Sequence, residues 1–156
     1  MIESVIISRQ AQDIWLQEIK RSPKIETGGV LCGYYTSNSI FIDIVSGPGS
    51  HSSQSAIEFE MDVEFMNEFL DNQYSKTSGK NIYVGEWHSH PQVHPLPSEQ
   101  DIQSMYERII EWQHGEIVFI IIGFINFAKN NLKQQITALT IHTEYDYLIS
   151  LPITLE

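Results

Sequence analysis

The chain has 156 residues, 42% hydrophobic and 19% charged, the size and balance of one ordinary folded domain, and the whole of 1–156 reads as such. Its single cysteine, Cys32, excludes an internal disulfide, which fits a reducing cytoplasm. A formal charge of −11 argues against a phosphate-backbone partner, so no nucleic acid is expected.

Taken in order, Ile2 to Ile7 reads as a short strand behind an N-terminus with no basic region or apolar run of secretory type. Ser8 caps a helix to about Arg21, with a stripe of Ile14, Trp15 or Leu16, and Ile19, and Pro23 ends it. Gly28-Gly29 breaks the chain before a strand from Val30 to Thr36. A turn at Ser37-Asn38 leads to Ile40 to Val45 and makes a hairpin. Gly47-Pro48-Gly49-Ser50 is a loop, and Ala56 to Glu60 is short and extended. Val63, Phe65, Met66, Phe69 and Leu70 give a helix over Asp62 to Gln73. Asn81 to His88 is a strand, and Gln92 to Pro97, with two prolines besides Pro91, a loop.

Ser98 begins a helix to about Gln113. Strands at Ile117 to Phe127 and Leu132 to His142 are joined by the turn Lys129-Asn130-Asn131, and Tyr145 to Ile153 adds a last strand. The apolar run Ile117 to Ala128 is far shorter than the about 20 residues of a membrane helix, so it is a buried strand and no membrane is involved. Helices between hairpins predict an α/β sandwich on a mostly antiparallel sheet.

The chemistry concentrates in Glu86-Trp87-His88-Ser89-His90-Pro91 and Ser98-Glu99-Gln100-Asp101. His88 and His90 are two apart on a strand, so their side chains share a face about 7 Å apart at the backbone. Asp101, in the first turn of the next helix, follows a loop long enough to bring it back to them. Two imidazoles and one carboxylate hold a zinc ion and leave a fourth position for water, the pattern of a catalytic site. Hydrolysis then needs a carboxylate near the metal that is not its ligand. Glu26, in Glu26-Thr27-Gly28-Gly29, is the best candidate, and its glycines allow close backbone approach to a site or substrate. Ser98 can donate its hydroxyl to an oxyanion.

Each residue also has a plainer role. A His-x-His pair is often surface or core, Ser98 and Asp101 make a capping-box pair, and Glu26 could be a solvated turn residue. Glu86 shares the histidines' parity as a possible ligand or supporting group, although one straight strand makes it a poor third ligand. His51 and His94 read as loop histidines, and Cys32 as a buried, inert thiol.

Together, Glu26, His88-Ser89-His90, Ser98 and Asp101, with seven residues between His90 and Ser98, match the JAMM signature. The chain resembles the JAB/JAMM (MPN-plus) metallopeptidases over nearly its whole length. The resemblance implies a cytidine deaminase-like α/β fold, a twisted, mostly antiparallel sheet with flanking helices. It also implies one zinc per chain on His88, His90 and Asp101, Glu26 as acid/base and Ser98 at the oxyanion. The segments Glu26 to Leu31, Gly47-Pro48-Gly49 and Gly85 to Pro91 look like a bacterial branch encoded beside ubiquitin-like conjugation enzymes in CBASS anti-phage operons. That narrower likeness implies a cytoplasmic isopeptidase that cleaves after the extended C-terminal tail of a ubiquitin-like protein or a conjugated cGAS-like nucleotidyltransferase. The bulky apolar residues around Ile57 and Phe59 either help line the tail's groove or serve ordinary core packing. The alternatives are a processing peptidase for a sulfur-carrier or ubiquitin-like precursor, and a non-catalytic MPN scaffold that has lost its ligands.

Overall fold

The computed structural model describes residues 1–92, 95–125, 133–142 and 144–156. The turn expected at Lys129-Asn130-Asn131 and the loop histidine His94 lie outside them. The elements run β1 (Ser4–Ile7), α1 (Arg9–Arg21), β2 (Gly28–Tyr35), β3 (Ser39–Val45), β4 (Ser53–Gln54), β5 (Phe59–Glu60) and α2 (Val63–Lys76). They continue with β6 (Ile82–His90), α3 (Glu99–Glu111), β7 (Val118–Ile125), β8 (Lys133–His142), β9 (Tyr147–Ser150) and β10 (Ile153–Leu155). Eight strands form one sheet in the order β10-β1-β3-β2-β6-β7-β8-β9, and β4 pairs with β5 apart from it. Pairing is antiparallel along β3-β2-β6 and β7-β8-β9, and parallel for β1 with β10, β1 with β3, and β6 with β7. This is the expected α/β architecture, with parallel pairs where crossovers carry a helix.

The alternation of the central strands divides the core into two layers. Leu31, Val84, Trp87, Val118, Ile120 and Ile122 pack on one face with Trp15 and Ile19 of α1. Val30, Tyr83, Phe119 and Ile121 pack on the other with Met66 of α2 and Met105 of α3. The buried stripe of α1 is Ala11, Trp15 and Ile19, spaced four apart, whereas the expected Ile14 and Leu16 flank it only partly buried. Ser8 caps α1, its hydroxyl accepting from the Ala11 N–H at 3.0 Å.

Three expectations shift. Gly28-Gly29 opens β2 instead of breaking the chain before it. A Cβ on Gly28 would lie 2.4 Å from the Trp87 carbonyl oxygen and 2.8 Å from Phe59, and one on Gly29 2.3 Å from the Ser46 carbonyl oxygen. The close approach these glycines permit is therefore to the protein's own backbone and Phe59. Helix α2 runs one turn past Gln73, to Lys76. The terminal segment divides at Leu151-Pro152 into two strands, because β9 pairs with β8 while β10 pairs with β1 across the sheet.

Candidate metal centre

The site forms where β6 ends and α3 begins. Trp87 turns into the α1 face, its indole N–H donating to the Ser46 carbonyl at 3.0 Å, so His88 and His90 turn to the opposite face. The parallel return from β6 to β7 carries α3 across that face, so its first turn lies beside the histidines.

Register explains Glu26. In the antiparallel ladder Gly28 sits opposite His88, so position 26 comes opposite His90. Ser89 clamps this end of the ladder: its N–H donates to the Thr27 carbonyl at 2.8 Å, and the Thr27 N–H donates to its hydroxyl at 3.0 Å. The Glu26 N–H donates to the Ser55 carbonyl at 2.7 Å, tying the β4–β5 hairpin to the same place. Glu26 Oε1 is thereby 3.6 Å from His90 Nε2.

The metal-binding atoms converge. His88 Nε2 and His90 Nε2 are 3.0 Å apart, His88 Nε2 is 3.3 Å from Asp101 Oδ1, and His90 Nε2 is 3.1 Å from Asp101 Oδ2. Ligand atoms about 2.0–2.1 Å from one tetrahedral ion stand about 3.3 Å from each other. The three side chains therefore fit a single small divalent ion, and among the described residues they are the cluster of histidine, cysteine and carboxylate side chains that could hold one. Glu26 lies beside the cluster.

Asp101 is also the third residue of α3, and the capping box is present. Its Oδ2 accepts from the Ser98 N–H at 2.7 Å, and the Ser98 hydroxyl accepts from the Asp101 N–H at 3.0 Å. The capping role and the metal role coexist, because each carboxylate oxygen has two lone pairs and the Ser98 hydroxyl, while accepting, keeps its own proton to donate.

Burial pushes the Glu26 carboxyl above the ordinary carboxylate range, against the pull of His90 and His88. Burial also acts on His90, lowering it, but the Asp101 carboxylate outweighs this and the net direction is up. Asp101 is buried too, yet hydrogen bonds from both imidazoles hold it well below the usual range. The site thus pushes the two carboxyls apart, Glu26 upward by burial and Asp101 downward by the imidazoles.

A cavity of about 360 Å³ opens here, lined by Glu26, His88 and Asp101 and by Ile57 and Phe59 of the hairpin region. Glu86 is not drawn into the cluster: its Oε1 accepts from Arg108 Nε at 2.6 Å and from the Tyr83 hydroxyl at 2.9 Å. His51 lies exposed in its loop, 3.6 Å from Asp62. Cys32 is fully buried and burial pushes its thiol up to about 12. The residues missed from sequence are Arg108 and Tyr83. Arg108 follows Asp101 by seven positions, two helical turns along the same face, and that spacing is the signal that could have found it.

Residues 8–136 match the family described as prokaryotic homologs of the JAB domain. The chain belongs to that family. A relative from Enterobacter hormaechei subsp. hoffmannii, named a CD-NTase/cGAS isopeptidase, is 30% identical over 77% of this chain and 67% of its own. A relative from Sinorhizobium fredii, named a probable metalloprotease, is 26% identical over 58% of this chain and 56% of its own. The solution structure of a protein from Desulfitobacterium hafniense shares the fold at 18% identity, with a TM-score of 0.70 over 97% of this chain and 92% of that one. No described helix of this JAB-family chain is long and apolar enough to cross a membrane.

Proposed function

We propose that residues 1–156 act as one zinc-dependent isopeptidase domain of the JAMM type. In this reading His88, His90 and Asp101 are the ligands, Glu26 is the acid/base and Ser98 the oxyanion donor. The observation that carries it is the convergence of His88 Nε2, His90 Nε2 and Asp101 Oδ within 3.0–3.3 Å, with Glu26 Oε1 3.6 Å from His90. A scaffold that had lost its ligands would not keep this arrangement.

A divalent ion held by His88, His90 and Asp101 would supply Lewis acidity, bringing the pKa of water to about 7. The protein supplies the rest. Asp101, held well below the usual range, would hold the ion together with the two imidazoles, whose Nε2 atoms face it. Glu26 Oε1 takes a proton from the attacking water as the C–O bond forms. The same carboxyl, raised by burial, returns the proton to the leaving nitrogen as the C–N bond breaks. The Ser98 hydroxyl donates to the carbonyl oxygen as negative charge gathers there.

The substrate class follows from the relative named a CD-NTase/cGAS isopeptidase. It is an amide formed by the C-terminus of a conjugated protein, and in a CBASS-type system that protein is a cGAS-like nucleotidyltransferase. The charge of −11 favours a protein over a nucleic-acid partner, and the reading places the reaction in the cytoplasm. The test is Glu26→Gln, assayed on a fusion joined through the tail of a cGAS-like nucleotidyltransferase, with metal content measured on both proteins. The variant keeps one zinc per chain and loses about 10²–10⁴-fold in kcat. Turnover within threefold of the parent removes Glu26 from its role, and parent protein that takes up no zinc removes the centre itself.

A further inference from the structure

The three candidate ligands come from two elements, His88 and His90 from β6 and Asp101 from α3. Their convergence therefore depends on where α3 lies against β6. Packing alone holds that seat loosely, because Met105 is the one buried residue of the helix and apolar burial is non-directional. Directional ties are few. Among the described residues, side chains of α3 reach other elements through Gln100 to Glu58 at 3.0 Å, Tyr106 to the Asp146 carbonyl at 2.9 Å, and Arg108 to Glu86. Asp101 aside, only the last of these ties meets the strand that carries the histidines.

That tie is strongly built. Arg108 Nε donates to Glu86 Oε1 at 2.6 Å, a charge-assisted bond between half-buried side chains. The Tyr83 hydroxyl donates to the same oxygen at 2.9 Å, which fills its two lone pairs. Arg108 Nη1 donates to Glu111 at 2.8 Å, so the guanidinium is held from its own helix as well. Tyr83 stands three positions before Glu86, and on a regular strand that spacing would turn it to the opposite face. The bulge at Val84, with Gly85 at φ +146°, brings it round to the carboxylate that receives Arg108. Unpaired, either member would disturb the centre. Glu86 shares the histidines' face and would be a rival ligand, while Arg108, two helical turns from Asp101, would be a rival for its carboxylate. Paired, each occupies the other.

We propose that Arg108 and Glu86 are positioning residues for the metal centre: their ion pair, braced by Tyr83, fixes α3 against β6 and so sets the reach of Asp101 to His88 and His90. The proposal rests on the metal-centre reading above and adds to it two residues that are not ligands. Charge alone would act with opposite signs at the two positions. Removing the Arg108 cation would tighten binding of a divalent ion, and removing the Glu86 anion would loosen it. A positioning pair loses affinity from either side.

The test measures zinc affinity by competition with a chromophoric chelator on the parent protein, Arg108→Met, Glu86→Gln and the double variant, each shown to be folded by circular dichroism. Visible spectra of the cobalt(II)-loaded forms are recorded beside it. Both single variants bind zinc about tenfold or more weakly, the lower end of what the outer supports of a metal ligand are worth. The double variant loses no more than the weaker-binding single one, because both substitutions break the same tie. The cobalt bands change in shape and intensity, since they report ligand geometry. Arg108→Lys keeps the charge but loses the planar Nε donor, and it too binds zinc more weakly, which charge alone would not produce. That variant decides the matter if the methionine form does not fold. Unchanged or tighter zinc binding by the Arg108 variants, losses that multiply in the double variant, or unaltered cobalt bands overturn the proposal and leave the centre in place. A parent protein that takes up no zinc removes the centre, and the pair's role with it.

Discussion

Gly85 ties the fold to the site, and its replacement by alanine has a calculable consequence. Gly85 sits in β6 at φ +146°, and a Cβ there would lie 1.8 Å from the Val118 carbonyl oxygen and 2.8 Å from its carbon. The neighbouring strand cannot yield as a flexible side chain would, because these are backbone atoms of β7. Ordinary contact demands a retreat of more than about 1 Å, and the positive φ adds about 1–3 kcal/mol of strain. Loss of one ladder hydrogen bond adds about 1 kcal/mol, for a total of about 2–4 kcal/mol. The same residue closes a bulge: Leu31 faces Gly85 while Cys32 faces Tyr83, leaving Val84 extra. The bulge brings Tyr83 to the face that Glu86, His88 and His90 share by parity. Gly85→Ala should therefore lower the urea midpoint by about 1–2 M at a slope of about 2 kcal/mol/M, followed by tryptophan fluorescence, and weaken zinc uptake. Gly79→Ala is the control for the contact, since Gly79 also has a positive φ, +82°, while its Cβ would meet only the tip of Tyr74, at 3.2 Å. A Gly85→Ala midpoint no lower than the control's would refute the argument that the bulge is held by backbone contact.

Chelation should lower thermal stability: a ligand present at about 1,000 times its Kd stabilises by about 4 kcal/mol, or roughly 8–16 °C in Tm for a chain of this size, and His88→Ala should abolish the difference in a calorimeter. Cys32, its thiol pushed up to about 12 by burial, should resist a thiol reagent at pH 8 in the native protein and react fully in denaturant; rapid native labelling would contradict its burial. Asp62 caps α2, and hydrogen bonds from the Phe65 and His51 N–H groups hold its carboxyl below the ordinary value. A depressed folded pKa stabilises above the unfolded value of about 3.9 and is lost as pH falls through the folded one. The stability gap between parent and Asp62→Ala should thus be full at pH 6 and shrink below about pH 4, and urea titrations that show a constant gap would contradict it.

The residues of the site were legible because their chemistry is carried by type and spacing. Two histidines on one strand face and an aspartate three residues after a helix-capping serine admit few arrangements; the capping role of Ser98 and Asp101 is compatible with the proposed one, whereas Glu26 is buried and not a solvated turn residue. The α1 stripe was harder to read. Ile14, Trp15, Leu16 and Ile19 offer two helical faces, and only the facing sheet decides that Trp15 goes inward, against Trp87 at 6.4 Å between ring centroids. Gly28-Gly29 misled for a related reason. Paired glycines mark a break in local terms, whereas here the neighbouring strands demand bare backbone inside a ladder.

Glu86 shows the limit most clearly, because parity alone made it equivalent to His88 and His90. What separates them is α3: the helix presents Asp101 to the histidines at its first turn and Arg108 to Glu86 two turns later. One rigid element thus assigns opposite fates to three side chains of one strand face, the candidate metal cluster at one end and ion pairing at the other. The pitch of α3 sets that division, at about 10.5 Å between Asp101 and Arg108 along the axis. A helix displaced by one turn would take its carboxylate away from the histidines, and one displaced by two would bring its cation to them. The capping box at Ser98, by fixing where the first turn begins, is therefore as much a determinant of the site as the ligands themselves.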